Sequence, residues 1–163
     1  GIGYQIARRC AAFDMNIVYH KRTPLADNPD NLNLTYVSLD ELLQQSDFVV
    51  CICPLTAETT GLIGKEEFAK MKNSAVLINV ARGPVVDTAA LTEALQEGHI
   101  YAAGLDVTDP EPLPRDHPLL SLDNVTIAPH LGSATMQTRR KMAEISVENL
   151  LLGLEDQTLL HSV

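Results

Sequence analysis

Three residues with chemically useful side chains recur at equal intervals in the second half of the chain. Arg82, Asp106 and His130 are separated by 24 and 24 residues, and each lies at the end of an apolar, strand-like run. An arginine binds an anion through two parallel hydrogen bonds, an imidazole exchanges a proton near neutral pH, and a carboxylate orients either group. Because ligands bind beyond the carboxyl ends of parallel strands, we expect these side chains to meet at one edge of a sheet.

Each of these residues also has an ordinary structural explanation. Arg82 could be a surface residue, Asp106 a turn former at a strand end, and His130 a loop histidine. Glu111 lies between two prolines and could be a solvated loop side chain. The combination favours the chemical interpretation, because an anion-binding arginine, a proton donor and a carboxylate follow corresponding strands.

The elements that would position these residues alternate between strand and helix. A capping box, Ser38 with Glu41 three residues later, begins one helix, and Asp87 can N-cap another that ends at Gly98. Apolar spacing predicts helices over residues 3–13, 39–45, 65–71, 88–96 and from Ser133 or Thr135 to 152, where Gly153 ends the last one. Strands are predicted over residues 15–19, 48–53 (covered on both faces), 75–80, 100–107 and 125–129, and long loops over 22–34 and 109–118. This order is typical of an α/β fold with a Rossmann-like, doubly wound parallel sheet.

Composition and charge restrict the function. The 163 residues suit one domain, and 45% of them are hydrophobic, which is too apolar for a disordered chain. No apolar run reaches the ~20 residues that a membrane span needs, and the net charge of −9 argues against nucleic acid and anionic membranes as partners. Cys10, Cys51 and Cys53 fit neither a disulfide framework nor a metal site, so we expect thiols in a reducing compartment, the cytoplasm.

Several motifs resemble those of the D-isomer-specific 2-hydroxyacid dehydrogenase family. They are Val-Ala-Arg-Gly at 80–83, Gly-Leu-Asp-Val at 104–107 followed by Glu-Pro at 111–112, and Pro-His-Leu-Gly-Ser at 129–133. They occur in the family's order, and the resemblance covers essentially the whole chain. Residues 109–114 and 117–120 look most like the glyoxylate/hydroxypyruvate reductases of that family. The resemblance implies an oxidoreductase that reduces a small 2-oxo acid to the D-2-hydroxy acid with hydride from a nicotinamide cofactor.

The resemblance also implies a role for each residue at the strand ends. His130 would be the general acid, Glu111 would pair with it and favour the imidazolium, and Arg82 would bind the substrate carboxylate. Asp106 would accept a hydrogen bond from the nicotinamide carboxamide. The dinucleotide would also contact Pro54, Val80, Ala81, Arg82, His130 and Gly132.

The first three residues match the end of the family's G-x-G-x-x-G turn. Gly3 takes the place of the third glycine, with Gly1 and Ile2 just before it; aligning Gly1 and Gly3 with the first two glycines would put Ile6 at the third. We therefore expect an N-terminally truncated protein in which the first strand and the substrate domain are missing. The expected organisation is a partial dinucleotide-binding domain at 1–152 and a tail at 153–163, with little or no turnover by the fragment alone.

The residues after the strand at 15–19 predict the choice of cofactor. An acidic side chain at this place selects NAD, and a cation selects NADP. Here Lys21, Arg22 and Thr23 follow the strand, and no acid occurs before Asp27. Arg22 offers a fork for a 2′-phosphate with Lys21 or Thr23 in support, although a solvated basic turn is the alternative. We expect NADPH over NADH, with NAD also possible.

Two other functions fit the same motifs. One is a different 2-hydroxyacid dehydrogenase of the family, acting on phosphoglycerate or a bulkier 2-oxo acid. The other is a dinucleotide-sensing scaffold like the corepressors that share the fold, although no long disordered tail supports it. Family members are usually dimers, so we expect a homodimer of the full-length protein, with the helix up to 152 either core or partly a dimer face.

Overall fold

The computed structural model describes residues 1–28 and 30–160, so the predicted tail is described only up to residue 160 and its last three residues lie outside the described residues. The chain divides into two compact units, Gly1–Pro129 and His130–Val163. The described helices are α1 (Ile2–Ala11), α2 (Leu39–Gln45), α3 (Lys65–Lys70), α4 (Thr88–Gln96) and α5 (Met136–Leu154). The described strands are β1 (Ile17–Tyr19), β2 (Leu34–Tyr36), β3 (Phe48–Cys51), β4 (Val76–Asn79), β5 (Ala102–Leu105) and β6 (Val125–Ile127). Of these described elements, only α5 belongs to the second unit, and the domain limits at 152 and 153 remain a prediction.

All described strands pair in parallel, in two sheets. β1 pairs with β2, and the other four strands form a sheet in the order β3-β4-β5-β6. Parallel neighbours need a crossover connection, which α3 supplies between β3 and β4 and α4 supplies between β4 and β5. The predicted α/β fold with parallel strands is therefore confirmed.

The core of the first unit lies between the four-stranded sheet and the helices. One cluster of buried side chains includes Leu43 of α2, Phe68 of α3, Leu91 of α4 and Leu77 of β4. Burial of a side chain of this size stabilises the fold by about 1.5–3 kcal/mol. Packing of these helices therefore holds the sheet in place, and loops follow the carboxyl ends of its strands.

Local capping signals in the sequence are confirmed. The Ser38 hydroxyl accepts a hydrogen bond from the Glu41 N–H (3.2 Å), and the Glu41 carboxylate accepts one from the Ser38 N–H (2.9 Å). Asp87 accepts from the Ala90 N–H (2.9 Å) at the start of α4. Of the two candidates for the cap of α5, Thr135 is the residue that accepts, from the N–H of Thr138.

Three expectations about the elements are wrong. Residue 34, predicted to end a loop, instead begins strand β2, because pairing with β1 makes a strand of a segment only three residues long. Helix α5 continues through Gly153 to Leu154, since the Glu155 N–H still finds the Leu151 carbonyl oxygen (3.1 Å). In β3 only alternate residues are buried, with Phe48 52% exposed, because one face of the sheet is covered less than the other; the central strands β4 and β5 alternate in the same way.

The three cysteines are free thiols, and burial raises the pKa of Cys51 to about 12, so that side chain is an inert core residue. None of the helices in the described part of the chain is long and apolar enough to cross a membrane.

Candidate active site

The four strands of the larger sheet end level with one another. Cys51, Asn79, Leu105 and Ile127 are register partners across the sheet. The ladder continues one step further, because the Asp106 N–H donates to the Asn79 carbonyl oxygen (3.0 Å). The loops that leave this edge carry those predicted residues of the first unit that follow β3, β4 and β5.

The residues at this edge are not equivalent in register, although their spacing along the chain is equal. Asp106 is the first residue after the level of Leu105, whereas Arg82 is the third residue after Asn79. Equal spacing along the chain therefore does not place Arg82 and Asp106 at the same level of the sheet, because the connections between the strands differ in length. Asp106 lies at the strand end itself, and Arg82 lies in the loop beyond it.

A buried asparagine builds the turn that carries Arg82. Asn79 is 1% exposed, its amide donates to the Arg82 carbonyl oxygen (3.0 Å), and its amide oxygen accepts from the Ala81 N–H (3.0 Å). The Arg82 guanidinium donates to the Ala81 carbonyl oxygen (2.7 Å), and the residue is exposed. Sequence reasoning missed Asn79, whose signal was a polar residue at the end of an apolar strand.

The turn of Arg82 packs directly on the loop that carries Glu111. A Cβ atom at Gly83 would lie 1.9 Å from the Thr108 carbonyl oxygen, so only glycine fits there. Thr108 in turn donates through its hydroxyl to the Pro110 carbonyl oxygen (2.9 Å) and through its N–H to the Glu111 carboxylate (3.4 Å). The structure thus brings the Arg82 and Glu111 segments together across a backbone contact.

His130 and Gly132 belong to the second unit and are described there by themselves. His130 follows Pro129 directly and has φ of 53°, in the left-handed region that non-glycine residues rarely adopt. Such conformations recur where the surrounding structure fixes a side chain for function. Leu131 accepts from the Ala134 N–H (2.9 Å) just before α5 begins. The roles assigned to His130 and Gly132 remain predictions.

The N-terminus of α1 fits the phosphates of a dinucleotide. Gly1 is the N-cap, no described side chain caps the helix, and its first turn contains no acidic residue. A Cβ atom at Gly3 would lie 3.0 Å from Cγ2 of Ile52, just after β3, which is the close helix–strand approach expected of the third glycine of the motif. Free N–H groups and the helix dipole favour an anion at this place.

The other predicted cofactor residues follow neighbouring strands of the first unit. Pro54 lies after β3, and its carbonyl oxygen accepts from the Thr59 hydroxyl (2.7 Å). Val80 follows β4 directly, and the next residue, Ala81, is buried. The exposed residues Lys21, Arg22 and Thr23 follow β1 in the other sheet.

The described residues contain no candidate metal site, and the guanidinium of Arg22 has no ion-pair partner among them. No cluster of three or more His, Cys, Asp or Glu side chains with metal-ligand geometry occurs among residues 1–28 and 30–160. In the same residues, no carboxylate lies within ion-pair distance of Arg22, whereas Arg8 pairs with Asp30 (3.7 Å). The electrostatic character of the turn is therefore positive.

Known proteins with similar sequences and folds identify the family. Glyoxylate/hydroxypyruvate reductase B of Escherichia fergusonii is 52% identical over 155 residues, which are 94% of this chain and 48% of that protein. The TT0316 protein from Thermus thermophilus is 51% identical with a TM-score of 0.92, over 99% of this chain and 50% of that one. An NADPH-dependent glyoxylate/hydroxypyruvate reductase from Sinorhizobium meliloti, in complex with NADP and malonate, is 40% identical with a TM-score of 0.92 over the same shares.

The chain spans about half the length of these relatives. Residues 1–132 match the family model for the D-isomer specific 2-hydroxyacid dehydrogenase, NAD binding domain. This match confirms the Rossmann-like fold and the expectation of a nicotinamide dinucleotide as cofactor. On its sequence, its fold and the matched domain, the chain belongs to the D-isomer specific 2-hydroxyacid dehydrogenase family.

Proposed function

We propose that this chain is the cofactor-binding part of a reductase that converts glyoxylate or hydroxypyruvate to the 2-hydroxy acid, with NADPH as the preferred reductant. The observation that carries the proposal is the packing of Gly83 on Thr108, which holds the Arg82 turn against the Glu111 loop at the carboxyl edge of the sheet. Two relatives that are 52% and 40% identical carry the name glyoxylate/hydroxypyruvate reductase, which supports the substrate class.

The chemistry follows from the residues of the site. The nicotinamide supplies the hydride for the carbonyl carbon when it is bound. Arg82 binds the substrate carboxylate through two hydrogen bonds and draws electron density from the neighbouring oxo group. His130 donates its proton to the carbonyl oxygen as negative charge develops there, with Glu111 as its proposed carboxylate partner. Asp106 accepts a hydrogen bond from the carboxamide and so fixes which face of the ring is presented.

Preference for NADPH rests on the turn after β1. Arg22 is exposed, has no ion-pair partner among the described residues and lies where an acid selects NAD in related sites. A guanidinium matches a 2′-phosphate with two parallel hydrogen bonds. Lys21 and Thr23 add a second charge and a hydroxyl donor to the same turn.

Steady-state assays on the full-length enzyme test this function. NADPH oxidation is measured with glyoxylate, hydroxypyruvate, phosphohydroxypyruvate and a bulky 2-oxo acid, and then repeated with NADH. We expect the two small acids and NADPH to give the highest kcat/KM, and His130→Ala to lose about 10²–10⁴-fold in kcat with unchanged cofactor affinity. Higher kcat/KM with a bulkier acid or with NADH would contradict the substrate or the cofactor preference, respectively. Dinucleotide binding without turnover on any acid would instead favour a sensing scaffold.

We further infer that the full-length enzyme is a cytoplasmic homodimer without nucleic acid or membrane partners. The free thiols suit a reducing compartment, and the charge of −9 repels polyanions. Val147 (57% exposed) and Leu151 (55% exposed) on α5 provide apolar surface of the kind that interfaces cover. Sedimentation equilibrium of the full-length protein is expected to give twice the monomer mass, and the monomer mass would refute this.

A further inference from the structure

The basic turn after β1 is held at both of its ends by tyrosine hydroxyls. The Tyr36 hydroxyl donates to the Lys21 carbonyl oxygen (3.3 Å), and the Tyr19 hydroxyl accepts from the Leu25 N–H (3.1 Å). Arg22 lies between these two points of attachment. Its own side chain is exposed and has no hydrogen bond among the described residues, so its location depends on the backbone that carries it.

The two tyrosines are themselves fixed by the small sheet. Tyr19 and Tyr36 are register partners on β1 and β2, and their rings contact edge to face with centroids 5.5 Å apart. His20 stacks on Tyr36 (centroids 6.0 Å apart), and its Nδ1 lies 2.9 Å from the Val37 carbonyl oxygen. Aromatic pairs with these geometries are stabilising in addition to the area that they bury. The turn is therefore attached to paired tyrosines on two strands rather than to another loop.

We propose that Tyr19 and Tyr36 are positioning residues that set the preference for NADPH over NADH by preorganising the turn of Arg22. This inference rests on the proposed recognition of the 2′-phosphate by Arg22. A long, flexible guanidinium side chain loses conformational freedom when it binds, and a fixed backbone reduces the number of conformations that must be lost. The gain is specific to the phosphate, because NADH has only a hydroxyl at that position.

A purely structural role for the tyrosines predicts a different result. If they only stabilise the β1–β2 pair, loss of their hydroxyls lowers the stability of the sheet and lowers the affinity for both cofactors to the same extent. If they position Arg22, only the affinity for NADPH is lowered. The ratio of the two dissociation constants separates these roles, and protein stability cancels from it.

The test is a pair of conservative variants in the full-length enzyme. Tyr36→Phe and the double variant Tyr19→Phe/Tyr36→Phe remove the hydroxyls and keep the rings. Tyr101→Phe is the matched control, because Tyr101 is 69% exposed and its hydroxyl has no hydrogen bond among the described residues. Dissociation constants for NADPH and NADH come from calorimetry. One neutral hydrogen bond corresponds to about a 2- to 10-fold change in a dissociation constant. We therefore expect the double variant to raise the dissociation constant of NADPH by about 10-fold and that of NADH by less than about 2-fold.

The same variants in an Arg22→Ala background identify the route of the effect. We expect the NADPH-to-NADH ratio in that background to be insensitive to the tyrosine hydroxyls, since the group that they position is gone. An equal loss for both cofactors, or a loss of NADPH affinity that persists without Arg22, would overturn the inference. If Arg22→Ala alone leaves the ratio unchanged, the proposed phosphate recognition fails. If Arg22→Ala changes the ratio and the double tyrosine variant does not, only the positioning role fails.

Discussion

The two regions of the first unit that hold the proposed site residues are built in opposite ways. At the edge of the four-stranded sheet, Asn79 is 1% exposed and Gly83 meets the Thr108 backbone with no room for a Cβ atom. At the end of the two-stranded sheet, Arg22 is exposed and its turn is attached through side-chain hydroxyls. The first arrangement depends on backbone fit, so we expect its loss to lower both the stability of the fold and the proposed activity. The second depends on replaceable side chains, so we expect its loss to change the proposed cofactor selectivity.

The backbone contact at Gly83 gives the largest expected effect. Gly83→Ala places a methyl group 1.9 Å from the Thr108 carbonyl oxygen, and neither backbone segment can move without displacing the Arg82 or Glu111 loop. We expect the free energy of unfolding to fall by about 3 kcal/mol or more, at the upper end for overpacked sites. Urea unfolding followed by circular dichroism measures it.

Gly104→Ala is the matched control for that experiment. Gly104 lies in β5, in the same sheet, but a Cβ atom there would meet no other atom within 4 Å. We expect its unfolding midpoint to stay close to that of the wild type. Equal stability of the two variants would show that the Gly83–Thr108 contact does not constrain the edge of the sheet.

Exchange of Arg82 tests the substrate side of the same edge. Arg82→Lys keeps the positive charge and loses the planar fork, so the carboxylate is held by one point of contact and the oxo group is misplaced. Misplacement of this kind costs about 10²-fold in rate, and we expect kcat/KM for glyoxylate to fall by that factor. The dissociation constant for NADPH is measured alongside; because Arg82 is also predicted to contact the dinucleotide, we expect it to rise, but by less than kcat/KM falls. A change confined to cofactor affinity would remove Arg82 from the substrate site.

Reversal of charge at Arg22 tests the other region. Arg22→Asp replaces the cation that is proposed to bind the 2′-phosphate with a group that repels phosphate and accepts a hydrogen bond from a ribose hydroxyl. We expect the NADPH-to-NADH ratio of kcat/KM to fall by about 10- to 100-fold, the range for hydrogen bonds to charged groups. Circular dichroism and the unfolding midpoint are expected to remain those of the wild type.

Arg9→Asp makes the same charge change outside the turn. Arg9 lies in the last turn of α1, where its guanidinium donates to the Gln5 carbonyl oxygen (2.8 Å). The cofactor ratio is expected to be insensitive to this variant. A comparable fall in both variants would mean that the effect is one of net charge rather than of a specific contact.

Sequence reasoning succeeded where the determinants are local. The Ser38–Glu41 box and the Asp87 cap depend on side chains within three residues, and both hydrogen-bonded pairs occur as predicted. It failed where a feature depends on distant residues: β2 is a strand because β1 pairs with it, and Gly83 is required because Thr108, 25 residues later, packs against it. Residue type and spacing pointed to Arg82 and the family resemblance pointed to Glu111, but neither pointed to the buried Asn79 that shapes the turn of Arg82.

The smallest expected effect belongs to the cap that follows the two-stranded sheet. A hydrogen bond from the Ser38 hydroxyl, and to a smaller extent one from the Ser38 N–H, lowers the pKa of Glu41 below its ordinary value. The ionised carboxylate is therefore favoured in the folded state. This stabilisation is present above the ordinary pKa of a glutamate and is lost as the pH falls through the lowered one. In Ser38→Ala we expect the pKa of Glu41, followed by NMR titration of its carboxyl carbon, to rise toward the ordinary value, while Ser74→Ala leaves it unchanged. Because this cap is separate from the turn of Arg22, the NADPH-to-NADH ratio should not move, and a shift in that ratio would show that the two attachments are coupled.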